Sequence, residues 1–481
     1  MQKAKDIFLV NLERAKKEEI EFYINLAINK YKVPMTHSIS IRPKSTEKPD
    51  KNKKNIVKDL ANSIPKTIEH FFPGFRQSLQ KIEDYRKKID YEISELLFGA
   101  ISLFLFKRGS RNSINNDRKD EDFISNYENL FGMRLPHMDT VNDMFEKLTP
   151  ESLEDFKTKM IRKLIEKKVL HQGRLFGNHF VVAIDGTGVN SYTKRHCEKC
   201  LTRNRKSGKQ TWFHNVLEAK LVLPNGLSIS LATEWIENNS LEYDKQDCEL
   251  KAFDRLSDKL KQSFPRLPIC IVGDGLYPNK TVFEICEQNK WEYIITLKDG
   301  NLRSVWEEVK SLIPLQKENK LKVTTIKKKQ KKEINHQWIT EINYKGHILN
   351  WTKAEEGNKK YVFVTSLKIT NKTVSQISFS GRSRWKIENE GFNDQKNGGY
   401  ELKHKYSEVS LNATKNYYQA LQIAHMINQL VVLGQKLKSY LKKKITIKHL
   451  WTELIAFLKY GSVDAENLKQ LLDTRSQIRL E

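Results

Sequence analysis

The chain has 481 residues, with 84 Lys and Arg against 59 Asp and Glu, a formal charge of +25. Apolar residues make up 38%, which excludes a disordered polycation, and the basic surplus favours a polyanion partner, nucleic acid before an anionic membrane. Five cysteines, an odd number, exclude a disulfide framework, and the longest apolar run, LLFGAISLFLF (96–106), is about half a membrane span.

The length predicts about two to four domains. MQKAKDIFLVNLERAKKEEIEF reads as an amphipathic charged helix rather than a secretory signal, so the expected compartment is the cytoplasm of a prokaryote, with the protein on the nucleoid. Residues 1–170 form a helical N-terminal region expected to bind DNA. Apolar residues recur there at three- and four-residue spacing in 5–31, 75–107 and 119–170. Two charged stretches, RPKSTEKPDKNKK (42–54) and KRGSRNSINNDRKDED (107–122), separate them. PHMDTVNDMFEKLTPESLEDF holds two helix starts, with Asp139, Thr140, Thr149 and Ser152 as capping candidates.

At 179 the pattern changes. HFVVAI is a short, near-continuous apolar run and predicts a buried strand ending at Asp185. NVLEAKLVL and LSISLATEWI flank PNG (224–226), a hairpin signal. A helix over 244–264, a buried strand LPICIVGD ending at Asp274, a helix PNKTVFEICEQNK and a strand WEYIITLK follow. Three antiparallel strands and two crossover-connected ones make an α/β fold with the element order of an RNase H-like mixed sheet. In that order the first and fourth strands are neighbours, which sets Asp185 beside Asp274. Alternation in LKVTTIKKKQ, HQWITEINYKG, HILNWTKA and KKYVFVTSLKI predicts a lysine-rich, β-rich insertion over 301–372. The α/β domain thus spans 175–300 and 373–435, and 436–481 is a helical C-terminal region.

RWKIENEGFNDQK (384–396) is an unusual helix, with two glutamates among Arg384, Trp385, Phe392 and Gly391. A regular helix turns about 100° per residue, so with Arg384 at zero, Glu388 falls at roughly 40° and Gln395 at roughly 20°, between apolar rows. Glu390 falls on the opposite, solvent side. An inward Glu388 is either a structural ion pair with Arg384 or a third carboxylate beside the two aspartates. Three converging carboxylates repel unless divalent cations sit between them, and hard oxygen donors select Mg²⁺ or Mn²⁺. A pair of such ions supports in-line phosphoryl transfer.

These residues resemble the DDE transposases of bacterial insertion sequences. AIDGTG looks like the first-aspartate motif, IVGDGLYPNK like the second, and RWKIENEGFNDQK followed by NGGYELKH like the glutamate motif. The resemblance covers roughly 130–435. A related branch carries a Tyr-Arg-Glu-Lys signature at the third motif. Arg384 and Glu388 match it, whereas its tyrosine position is Gly381 and its lysine position Gln395, with Lys396 one step beyond. The resemblance implies a recombinase that binds the terminal inverted repeats of its element, cleaves a DNA strand and transfers it to target DNA. It implies Asp185, Asp274 and Glu388 as catalytic residues and ligands of two Mg²⁺ or Mn²⁺ ions, Arg384 and Lys396 as DNA contacts, and a homodimer that joins two ends. Two alternatives stand beside it: an RNase H-like nuclease or resolvase without strand transfer, and a domesticated DNA-binding protein without catalysis.

Other clusters carry their own chemistry. RHCEKCLTR holds His196, Cys197 and Cys200, and WFHN adds His214. A Cys-x₂-Cys pair with two histidines is a zinc donor set by type, against which stand a reduced pair and a redox-responsive pair. Cys270 and Cys286 read as core. RNRKSGKQTWFHN (203–215) interleaves basic and aromatic residues as a single-strand contact does, or forms a solvated loop. KKKQKK (328–333) and KSYLKKK (438–444) suit nonspecific phosphate contacts. Glu234, Glu237 and Glu242 follow the third strand of the domain, from where one of them could approach the acidic site.

Overall fold

The protein is described from a computed structural model, covering residues 51–481 other than 205–207, 239–244, 328–329, 442–444, 475–477, 479 and 481. The helix expected over 5–31 lies outside the described residues, as do Glu242 and parts of the three basic stretches at 205–207, 328–329 and 442–444.

Among the described residues, seven helices precede the sheet: α1 (Lys51–Phe71), α2 (Phe75–Gln80), α3 (Ile93–Leu105), α4 (Arg111–Asp117), α5 (Glu121–Phe131), α6 (Met138–Lys147) and α7 (Pro150–Glu166). The apolar run at 96–106 lies in α3, every residue of which is buried. Its one carboxylate, Glu95, is satisfied at the helix start: it accepts from the Glu92 backbone N–H at 2.9 Å and binds Arg134 at 2.7 Å. The two starts read in 136–156 are those of α6 and α7. His137 caps α6 through its ring nitrogen, and Pro150 occupies the first turn of α7.

The strands are β1 (Phe180–Tyr192), β2 (Leu201–Asn204), β3 (Gln210–Val222) and β4 (Ser228–Ile236). After helix α8 (Glu249–Ser263) come β5 (Ile269–Gly273), α9 (Lys280–Asn289) and β6 (Glu292–Thr296). Helix α10 (Arg303–Leu312) leads to β7 (Lys320–Lys327), β8 (Gln330–Tyr344), β9 (His347–Glu356) and β10 (Lys359–Thr365). All ten belong to one mixed sheet, ordered β2-β3-β1-β5-β6-β10-β9-β8-β7, with β4 also on β3. β1 pairs antiparallel with β3 and parallel with β5, and β5 is parallel to β6. The neighbouring strands anticipated for the two aspartates are therefore β1 and β5. The 301–372 segment continues this sheet, because β10 pairs antiparallel with β6.

Helix α11 (Val374–Arg382) is followed by a π-helix (Ile387–Asn393) and by α12 (Asp394–Asn397). Then α13 (Leu411–Leu433) runs through the core, touching α3, α6, α7 and β4. Helices α14 (Gln435–Leu441), α15 (Ile447–Tyr460) and α16 (Ala465–Asp473) close the chain. Nearly all of α13 from Ala413 to Val431 is buried, polar residues included. Each such residue needs a partner. Asn416 donates to the Phe145 and Leu148 carbonyls, Asn428 to the Leu105 carbonyl, and Gln422 accepts from Lys220 at 2.7 Å. These bonds tie the helical N-terminal region to the sheet.

Candidate active site

The parallel register of β1 with β5 pairs Ala183 with Val272. Carried two residues further, it sets Asp185 opposite Asp274. β1 does not end at Asp185, as the sequence predicts: it runs on to Tyr192, still paired with β3, while β5 stops at Gly273. Asp185 thus emerges where the sheet splits, which opens space above it. Each aspartate is pinned by a local amide. Gly186 N–H donates to Asp185 Oδ1 at 3.0 Å, and Leu276 N–H to Asp274 Oδ1 at 2.8 Å.

Arg384 joins the third acid to the first. Its Nη1 lies 3.3 Å from Asp185 Oδ2 and 2.7 Å from Glu388 Oε1. Two expectations about this segment fail. Glu388 is not inward and buried, since half of its side chain is exposed. Gln395 does not share its stripe: it is fully buried and bonded to Gln422 at 2.8 Å. Glu390 is not on the solvent side either, being 30% exposed and paired with Lys386. The cause is the π-helix, whose wider turns break the 100° step between Ile387 and Asn393. Gly391 suits this packing: a Cβ there would come 3.1–3.2 Å from the Ser228 and Lys220 side chains, which would have to shift to admit it.

A fourth carboxylate, Glu249, went unread in the sequence. A Cβ on Gly186 would sit 2.4 Å from Glu249 Oε1, so the glycine beside Asp185 admits this side chain. The Tyr277 hydroxyl holds its other oxygen at 3.3 Å. Its only sequence signal is a glutamate in the first turn of a helix leaving β4, which reads as an ordinary solvated helix start. Of the acids singled out after β4, Glu234 is bound by Arg255 and Lys259, and Glu237 by Lys415 and Lys199.

The crowding has an electrostatic cost. Burial pushes the Asp185 carboxyl up to about 7; Arg384 opposes this, and Glu388 and Glu249 add to it. Burial also raises Glu249, against its Tyr277 bond, with Asp274 adding to the rise. Burial and Lys403 hold the Lys396 ammonium below the usual lysine range, with Asp185 and Glu388 opposing. Lys298 lies 3.3 Å from Asp274. The donors are all hard carboxylate oxygens, the set that suits Mg²⁺ or Mn²⁺.

Beside the acids opens a cleft of about 850 Å³ lined by Lys298, Lys359, Lys360, Arg382, Arg384 and Trp385. Trp385 is half exposed, and Arg382 stacks 4.2 Å above the Tyr361 ring. The arrangement offers cations and a flat apolar face next to a carboxylate cluster.

The second cluster is distinct from the first. Cys197, Cys200 and His214 come together at the far end of β1, with His196 beside them. Cys270 and Cys286 are buried in the core, as the sequence predicts. Among the described residues, no helix is long and apolar enough to cross a membrane.

No protein-family model matches the chain. No curated protein matches it. Among solved structures it is similar to a piggyBac transposase synaptic complex with hairpin DNA, at a TM-score of 0.38 and 11% identity, over 88% of this chain and 82% of that one. A likeness at that score does not establish a shared fold.

Proposed function

We propose that the protein is a metal-dependent DNA phosphoryl-transfer enzyme, a DDE-type transposase whose sheet β4-β3-β1-β5-β6 is an RNase H-like core. The observation that carries this reading is the placement of two sequence-distant aspartates by strand register, together with an arginine that links the first of them to a third acid. The β1–β5 register, carried two residues further, sets Asp185 opposite Asp274 just past the end of β5, and one guanidinium nitrogen of Arg384 bridges Asp185 to Glu388.

Asp185 and Asp274 would hold divalent metal, Glu388 would complete the set, and Glu249, which packs against the Gly186 backbone next to Asp185, is a further candidate. Bound Mg²⁺ or Mn²⁺ supplies charge for the attacking and leaving oxygens of phosphoryl transfer. The other roles belong to the chain. Arg384 neutralises the acids when no metal is bound, and its guanidinium suits a DNA phosphate once they are otherwise compensated. Lys396 adds a cation near Asp185 and Glu388. The cleft lined by Lys298, Lys359 and Lys360 receives the strand, with Trp385 offering a face for a base. The DNA is the terminal inverted repeat of the protein's own element, and two copies of the chain bring two ends together.

The test uses DNA containing the sequences that flank the reading frame, with Mg²⁺. Joined products support the transposase. Cleavage without joining leaves a nuclease, and stable complexes without cleavage leave a DNA-binding protein. Asp185→Asn, Asp274→Asn and Glu388→Gln are each expected to lower cleavage by roughly a hundredfold or more with DNA binding retained. Undiminished cleavage in any of them removes that residue from the reaction.

A further inference from the structure

At the end of β1 remote from the acids, the loop 193–200 folds back over β3. Cys197 Sγ lies 3.6 Å from Cys200 Sγ and 3.5 Å from His214 Nε2, and Cys200 Sγ lies 3.4 Å from the same nitrogen. Both thiols are free. The sulfurs are well beyond the disulfide separation of about 2.05 Å. Tetrahedral zinc, with bonds of about 2.3 Å to sulfur and about 2.0–2.1 Å to nitrogen, spaces two sulfurs about 3.8 Å apart and sulfur and nitrogen about 3.5 Å apart. All three edges of the Cys197–Cys200–His214 triangle match that spacing within a few tenths of an ångström.

A fourth donor stands nearby. A ring nitrogen of His196 comes within 4.8 Å of the donor atoms of Cys197 and His214. Its Nε2 bonds the Glu408 carbonyl, while its Nδ1 is buried without a partner. A histidine that anchors one nitrogen on a carbonyl and keeps the other buried without a partner has a nitrogen to give to a metal. Cys200 and His214 are at most 1% exposed, so two of the donors are shielded from water, while Cys197 and His196 are half-buried. Thiolate and imidazole donors select zinc over the magnesium suited to the carboxylates.

We infer that Cys197, Cys200, His214 and His196 bind one structural zinc ion. Four protein donors leave no open position, so the ion acts as a clip and not as a catalyst. What it clips is weak by itself. β2 has only four residues, paired along one edge of β3. This hairpin displays Arg195 over Trp212 and Arg203 over Phe213. Zinc would fix it and, through His196, hold it to the Glu408 segment.

The inference is independent of the DNA-cleavage reading, and its test contains no DNA. Full-length protein purified under reducing conditions without chelator should carry about one equivalent of zinc by elemental analysis. Cys200→Ser and His214→Ala should lose it, whereas Cys248→Ser, at an exposed thiol, should keep it. Because ligand substitutions can unfold a clipped hairpin, the wild-type chain provides the second measurement. Stripped of metal and titrated with Co²⁺ alone, it should show the intense bands of four-coordinate cobalt together with thiolate-to-cobalt charge transfer. Zinc well below one equivalent after reconstitution, or a cobalt spectrum without thiolate charge transfer, overturns the inference.

Discussion

Arg384 reaches two acids through a single nitrogen, so each carboxylate has less than a full counter-charge. Burial adds to this at Asp185. With its folded pKa near 7 against an ordinary value of 3.8, the folded state keeps a proton that the unfolded state has lost between those limits. Stability of the metal-free protein therefore falls as pH rises from about 4 to 7. Asp185→Asn removes the penalty. In chelator, the variant is expected to match wild type near pH 4 and to exceed it at pH 8 by on the order of 1–2 kcal/mol, read by thermal or urea unfolding. Equal stability at both pH values would show that burial does not hold a proton on Asp185. Glu249 tests the same crowding from the other side. Glu249→Gln should raise the Mg²⁺ concentration for half-maximal cleavage several-fold with less effect on the rate at saturation. Glu234→Gln, whose parent is held by Arg255 and Lys259, should leave that concentration unchanged. A variant at Glu249 with a wild-type Mg²⁺ requirement would exclude it from the metal site.

At the scale of elements, the strands were readable and the glutamate helix was not. HFVVAI, LPICIVGD and WEYIITLK are apolar on both faces, which the sheet's interior requires, and all three are strands of its middle. β2 escaped notice because four residues with two exposed side chains carry no period. The segment 384–396 looked regular because a π-turn has no distinct composition; only its packing on Ser228 and Lys220 shows it. The extra residue has a consequence. It lets Phe392 and Gln395 point into the core while Arg384 lines the cleft and pairs with the half-exposed Glu388. Deleting the exposed Asn389 should restore a regular α-helix and rotate the two pairs by about 100° relative to each other. The expected result is a folded protein, by circular dichroism and unfolding temperature, with cleavage near background. Cleavage at the wild-type rate would mean the π-turn has no bearing on the site.

Across the whole molecule, the order of the first strands was legible, whereas the extent of the sheet was not. Alternation in 321–369 shows strands, but not that β10 would pair with β6 and extend a single sheet. That pairing is a long-range choice, and it sets Lys359 and Lys360 beside Lys298 and Arg384 in one cleft. The charge of +25 was legible as a polyanion footprint, with no indication of where on the surface it would concentrate. If DNA follows the cleft, its affinity should fall linearly with the logarithm of salt concentration, each phosphate contact adding to the slope. Lys359 and Lys360 are exposed, so replacing both with Ala should change stability by no more than about 0.5 kcal/mol. The double variant should flatten the salt slope by about 1–2, measured by fluorescence anisotropy over a range of salt concentrations. A slope unchanged within error would take the cleft off the DNA path and leave the acids without the groove that the strand-transfer reading needs.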